Sequence, residues 1–145
     1  MACVFCAIAA GEQPAHVVLD DGPVVAFLDR RPLFEGHTLV VPRRHVAELR
    51  ELDAELRDEV FARVQDVAAA VRDALGAHGT FVAMNDVVSQ SVPHLHVHVV
   101  PRRFKDGLRG FFWPRTTYAS DADAAAIAAR VRAALPDGVG GDATV

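Results

Sequence analysis

Apolar and polar positions along this chain of 145 residues follow two periods, and each switch between them marks an element. Val4 to Ala10 is a short apolar run stopped by Gly11 and Pro14, which predicts a turn or a short helix. His16 to Leu19 and Val24 to Leu28 predict two strands around Asp20-Asp21-Gly22-Pro23, a hairpin signal. A loop opening at Asp29-Arg30-Arg31-Pro32 carries Gly36, and His37 to Val41 predicts a third strand closed by Pro42. From Asp53, a suitable N-cap, the period lengthens: Leu56, Val60, Val64, Val67, Val71 and Leu75 trace one face of a long helix, with Gly76 and Gly79 as stops. Thr80 to Met84 predicts a fourth strand, and Asn85 to Gln90 a polar connection.

From Ser91 to Pro101 the period is two again, with His94, His96 and His98 alternating against Leu95, Val97 and Val99. A strand there places the histidines on one face, each roughly 6.6 Å from the next, and the aliphatic residues on the other. Ser120-Asp121-Ala122-Asp123 predicts the start of a final Ala-rich helix ending at Pro136. The predicted order is helix, three strands, helix, two strands, helix. Strands joined mostly by hairpins imply an α+β fold with an antiparallel five-stranded sheet, the long helix packed on one face and a C-terminal helix. Residues 1–136 are expected to form a single domain, and 137–145 a flexible tail.

Composition narrows the function. Hydrophobic residues make up 51% and charged residues 23%, as in globular domains, and a net charge of -4 argues against a general nucleic-acid binder. No apolar run approaches the ~18 residues needed to span a bilayer. Two cysteines and no signal-peptide pattern predict a cytoplasmic protein with reduced thiols. Arg102, Arg103, Lys105, Arg109 and Arg115 follow the histidine segment with only Asp106 among them. They suit a small anionic ligand, or equally a solvated loop.

Three imidazoles in a row are costly merely to bury, because each brings a donor and an acceptor that need partners. Two chemistries fit them: a metal site, or nucleophilic catalysis by a neutral imidazole. Spacing alone leaves both open.

The flanking residues extend the pattern. Gln90-Ser91-Val92 before the His-x-His-x-His run resembles the signature of the histidine triad (HIT) family. Cys3-Val4-Phe5-Cys6-Ala7-Ile8, the Val24 to Asp29 stretch, Pro32, Gly36-His37-Thr38-Leu39-Val40-Val41-Pro42 and His45 match that family's first half in order and spacing. The resemblance covers roughly residues 3 to 115.

It implies a nucleotide-binding hydrolase or transferase acting at an α-phosphate, on a nucleoside phosphoramidate or related substrate of the purine nucleoside phosphate type. His96 would attack phosphorus to form a nucleotidyl-histidine, His98 would contact phosphate oxygens or the leaving group, Ser91 the leaving atom, and His37 would support them. Asp29 would accept from the ribose hydroxyls, Phe5, Ile8 and Phe27 would line the base pocket, and Asn85 and Gln90 would help hold the nucleotide. Cys3, Cys6, His45 and His94 would bind one structural zinc ion per chain, and the protein would be a homodimer. A dinucleoside polyphosphate hydrolase or phosphorylase, and a non-enzymatic nucleotide- or metal-binding module, are the alternatives. The chain departs from the family pattern at Asp86-Val87-Val88-Ser89, which lacks the glycine usual before Gln90. It departs again at Arg30, where an apolar residue is more usual, and in the longer segment through Phe111-Phe112-Trp113-Pro114.

Overall fold

The structure is a computed structural model that describes residues 3–108 and 116–136. The chain forms two compact units, Met1–Gly107 and Leu108–Val145. In the first, helix α1 (Val4–Ala9) precedes strands β1 (Val17–Asp21), β2 (Val24–Leu28) and β3 (Thr38–Pro42). A short 3₁₀ turn at Leu49–Glu51 leads into α2 (Ala54–Leu75), followed by β4 (Gly79–Ala83) and β5 (Val97–Arg102). The strands form one antiparallel sheet in the order β1-β2-β3-β5-β4, the α+β architecture expected. The second unit contains α3 (Asp121–Ala133), capped by the Ser120 side chain accepting from the Asp123 amide at 3.1 Å. Arg109, Arg115, the Phe111 to Pro114 stretch and the expected tail 137–145 lie outside the described residues.

The central strands are apolar on both faces because both faces are covered. On one side Val24 and Ala26 of β2, Val40 of β3, and Val97 and Val99 of β5 meet the predicted α2 face of Leu56, Val60, Val64, Val67 and Val71. On the other, Val25, Phe27, Leu39 and Val41 meet Phe5, Ile8 and Ala9 of α1. Each aliphatic or aromatic side chain so buried contributes roughly 1.5–3 kcal/mol. Helix α2 starts and stops where the sequence predicted: Asp53 Oδ1 accepts from the Leu56 amide at 2.9 Å, and Gly76 ends the helix at φ 60°.

Two expectations need correction. The histidine segment is not one strand from Ser91: β5 begins at Val97, so His94 and His96 precede it. The reason is local. The His94 amide turns back to the Val92 carbonyl, and the Leu95 amide bonds Val46 O at 2.6 Å, so neither is available to a sheet ladder. The inward and outward alternation survives, because Leu95 still joins Val97 and Val99 in the α2-side core. His37, expected inside the third strand, stands just before β3.

Candidate active site

The residues singled out in the sequence gather on the α1 face of the sheet. A cleft of about 750 Å³ is lined by Phe5, Ile8, Phe27, Asp29, Ser91, His96 and His98, all expected site residues. Phe5 is the hub of the apolar wall. Its ring lies 5.4 Å from that of Phe27, 5.2 Å from His96 and 5.9 Å from His94, edge to face in each case.

The histidine tautomers follow from their partners, since a carbonyl can only accept and an amide can only donate. His96 Nδ1 donates to the His94 carbonyl at 2.7 Å, which leaves Nε2 with its lone pair. The Leu33 amide donates to His37 Nδ1 at 3.1 Å, so the His37 proton sits on Nε2 and is given to His98 Nδ1 at 2.9 Å. His98 then carries its own proton on Nε2. Burial is the main cause that pushes His98 down to about 4, helped by the neighbouring His96 and His37. Burial also lowers His37, against the opposing pull of the Asp29 carboxylate 3.8 Å away. Both rings are therefore neutral at pH 7.

Backbone geometry holds this chain of rings in place. Gly36, at φ 94°, precedes His37, and a Cβ there would collide with the Leu75 side chain at the end of α2. The Leu75 methyl could move aside, so the φ of 94°, which side-chain-bearing residues rarely adopt, is what calls for glycine.

Beside the cleft, Cys3, Cys6, His45 and His94 form a second cluster, with all four ligand atoms within 4.8 Å of one another. His94 Nε2 donates to Pro42 O at 2.8 Å, which turns the Nδ1 lone pair toward the sulfurs. Nδ1 lies 3.4 Å from Cys3 Sγ and 3.5 Å from Cys6 Sγ, and His45 Nδ1 lies 3.3 Å from Cys6 Sγ. Sulfur and nitrogen ligands on a tetrahedral zinc ion stand about 3.6 Å apart, so the donor set fits with little movement. Burial, and then the adjacent Cys3, push the Cys6 thiol up, so a bound cation is what would make two neighbouring thiolates favourable.

Asp29, His37 and His98 also bring three potential ligand atoms together. They suit a metal poorly. Binding through His37 Nε2 would move that ring's proton to Nδ1, against the Leu33 N–H.

Asn85 and Gln90 do not line the cleft. Asn85 Nδ2 donates to Ser89 O at 3.2 Å, and Gln90 Nε2 to Ala47 O at 2.8 Å, so both brace the loop leading to Ser91. That loop holds Val87 at φ 67° and Ser89 at φ 61°, left-handed conformations that glycine adopts more readily. The missing glycine is thus present as backbone strain. Arg102 pairs with Asp106 at 2.6 Å, and Arg103 donates to Gly76 O and Leu75 O at the end of α2. For these two arginines the solvated structural reading of the basic segment holds. The cleft's cations come from elsewhere: Arg30 and Arg31 line it, as do His16, Leu39 and Val92. Of these, Leu39 and Val92 stood in the matched family blocks and Arg30 stood out as a departure.

A family model described as HIT domain matches residues 10–105. Over 110 residues, 74% of this chain and 76% of the relative, the chain is 44% identical to an uncharacterised HIT-like protein of Mycobacterium tuberculosis. It is 33% identical to adenosine 5'-monophosphoramidase of Schizosaccharomyces pombe, covering 79% of this chain and 84% of that one. A crystal structure of a HIT-family member from Bacillus subtilis superposes with a TM-score of 0.83 at 34% identity, over 94% of this chain and 99% of the other. A zinc-bound histidine triad protein from Mycobacterium smegmatis does so at 0.71 and 37%, over 92% and 98%. With the triad on one face of the sheet and these relatives across most of its length, the chain belongs to the histidine triad family.

Proposed function

We propose that this protein is a nucleotide hydrolase or nucleotidyl transferase that works at an α-phosphate through a nucleotidyl-His96 intermediate. The observation that carries the reading is the 2.7 Å bond from His96 Nδ1 to the His94 carbonyl, which leaves Nε2 free in a cleft large enough for a nucleotide. The Nε2 lone pair attacks the α-phosphorus, the bond from phosphorus to the leaving group breaks, and the leaving group takes up a proton from solvent. Positive charge grows on the imidazole and is met by the His94 carbonyl. The Nε2–H of His98 supports the phosphoryl oxygens or the departing atom, and Ser91 stands on the same cleft wall. Water then attacks phosphorus and releases a proton to solvent, breaking the N–P bond and restoring the His96 lone pair. Asp29 accepts from the ribose hydroxyls, and Phe5, Ile8 and Phe27 hold the base. A phosphoramidate substrate is supported by the relative named as a monophosphoramidase.

Cys3, Cys6, His45 and His94 would hold a structural zinc ion, a reading supported by the zinc-bound relative. When bound, the metal would anchor α1 and His94, while the chemistry belongs to His96. A homodimer suits the bare outer edge of β4, which pairs among the described strands only with β5. Light scattering should then give about twice the 15.6 kDa chain mass.

Rapid mixing with adenosine 5'-phosphoramidate, quenched and analysed by mass spectrometry, tests the central step. Wild type should carry one AMP on His96, and His96→Ala should carry none and lose turnover with its fold intact. A wild-type protein that binds AMP but never becomes labelled would instead be a nucleotide-binding module.

A further inference from the structure

Arg30 and Arg31 are consecutive exposed residues that line the cleft. Most other arginines of the first unit are committed to their own chain. Arg43 pairs with Asp20, Arg44 with Asp53, Arg50 with Glu48, Arg57 with Asp58, Arg63 with Asp21 and Asp66, and Arg102 with Asp106. Arg30 and Arg31 have no ion-pair partner among the described residues. Among the described residues, the only carboxylate lining the cleft is Asp29. Its Oδ1 accepts from the Arg31 backbone amide at 2.8 Å, and its Oδ2 faces His37 at 3.8 Å. That turn at Asp29 fixes the backbone from which both arginines leave.

Arg30 and Arg31 put two cations on one stretch of the cleft lining, and in a chain of net charge -4 nothing global calls for them here. A dianionic group in the cleft would offset both charges, and planar guanidinium forks match phosphate oxygens pairwise. We infer that Arg30 and Arg31 form a second phosphate subsite, so that the preferred ligand is a nucleotide carrying one phosphate beyond the one His96 attacks. This rests on the proposed nucleotidyl chemistry and names its substrate class. The extra phosphate has two possible sources: a ribose hydroxyl held beside Asp29, or a longer phosphate chain at the 5' position.

Calorimetric titration of the full chain with AMP, adenosine 3',5'-bisphosphate and ADP separates them. The bisphosphate or ADP should bind at least about tenfold tighter than AMP, the worth of one good charge-assisted hydrogen bond. Whichever ligand gains identifies the source. Arg30→Ala/Arg31→Ala should bring the affinity for the bisphosphate or ADP down to that for AMP, with circular dichroism reporting an intact fold. Equal affinity for all three ligands would overturn the subsite, as would an advantage that survives the double substitution or a parallel loss for AMP. Binding needs no bond cleavage, so this result and the labelling of His96 can fail independently.

Discussion

His37 gives its Nε2 proton to His98 Nδ1 across 2.9 Å, and so decides which nitrogen of His98 carries a proton into the cleft. His37 itself is set by the Leu33 amide, so the orientation of His98 begins at a backbone N–H four residues before His37. A buried ring, a half-buried ring and one amide thus fix a tautomer without a formal charge.

Removing the intermediate ring should therefore cost rate more than binding. His37→Ala is expected to lower kcat roughly 10- to 100-fold, as for other partners that orient an imidazole. KM should change little. His37→Gln, whose amide can donate to His98, should recover part of the loss. Equal kcat values for the alanine and glutamine variants would assign His37 to packing alone.

The same neutral rings make stability depend on pH. His98 is lowered to about 4 from an ordinary 6.5, and burial lowers His37 as well. Between those values the unfolded chain binds protons that the folded chain refuses, so stability is full above about 6.5 and falls as pH drops toward 4. Urea midpoints at pH 7, 6 and 5 should decline in that order. His98→Asn should flatten the decline, and an unchanged slope in that variant would remove His98 as its source.

Metal removal should act on the fold and the cleft together. Helix α1 carries Cys6 on the side of the cysteine–histidine cluster and Phe5 and Ile8 on the cleft wall, while His94 joins the cluster to the carbonyl that orients His96. Protein purified without chelator should contain about one zinc per chain by elemental analysis. Stripping the metal should free two thiols to a colorimetric reagent and lower Tm by at least about 5 °C. A chelated protein with unaltered Tm would leave the cysteines as packing residues.

The strained loop offers a gain of stability. Val87 is β-branched, exposed and held at φ 67°, a conformation that costs an L-residue on the order of 1–2 kcal/mol. Glycine relieves that cost but loses more freedom on folding, so Val87→Gly should stabilise by about 0.5–1 kcal/mol in urea denaturation. A destabilised variant would show that the Val87 side chain makes a contact worth more than its strain.

The chain pattern by itself determined the architecture, and the family resemblance named the candidate residues of both clusters. The Asp53 and Gly76 caps, the α2 stripe from Leu56 to Val71 and the alternation around His94, His96 and His98 are local properties, because helix and strand periods are written in neighbouring side chains. Cys3, Cys6, His45 and His94 were recognisable through the family resemblance and are brought together by the fold. Three matters were settled only in three dimensions. The tautomers depend on the Leu33 amide and on the His94 and Pro42 carbonyls, and every residue offers the same backbone groups, so no side-chain pattern announces which will be used. The start of β5 at Val97 depends on Val46 taking the Leu95 amide, a contact across 49 positions that periodicity cannot see. The division of the arginines followed from geometry as well. Arg102 and Arg103 found an acid and a helix end, whereas Arg30 and Arg31 were left facing the cleft, because ion pairing is a property of distance in space.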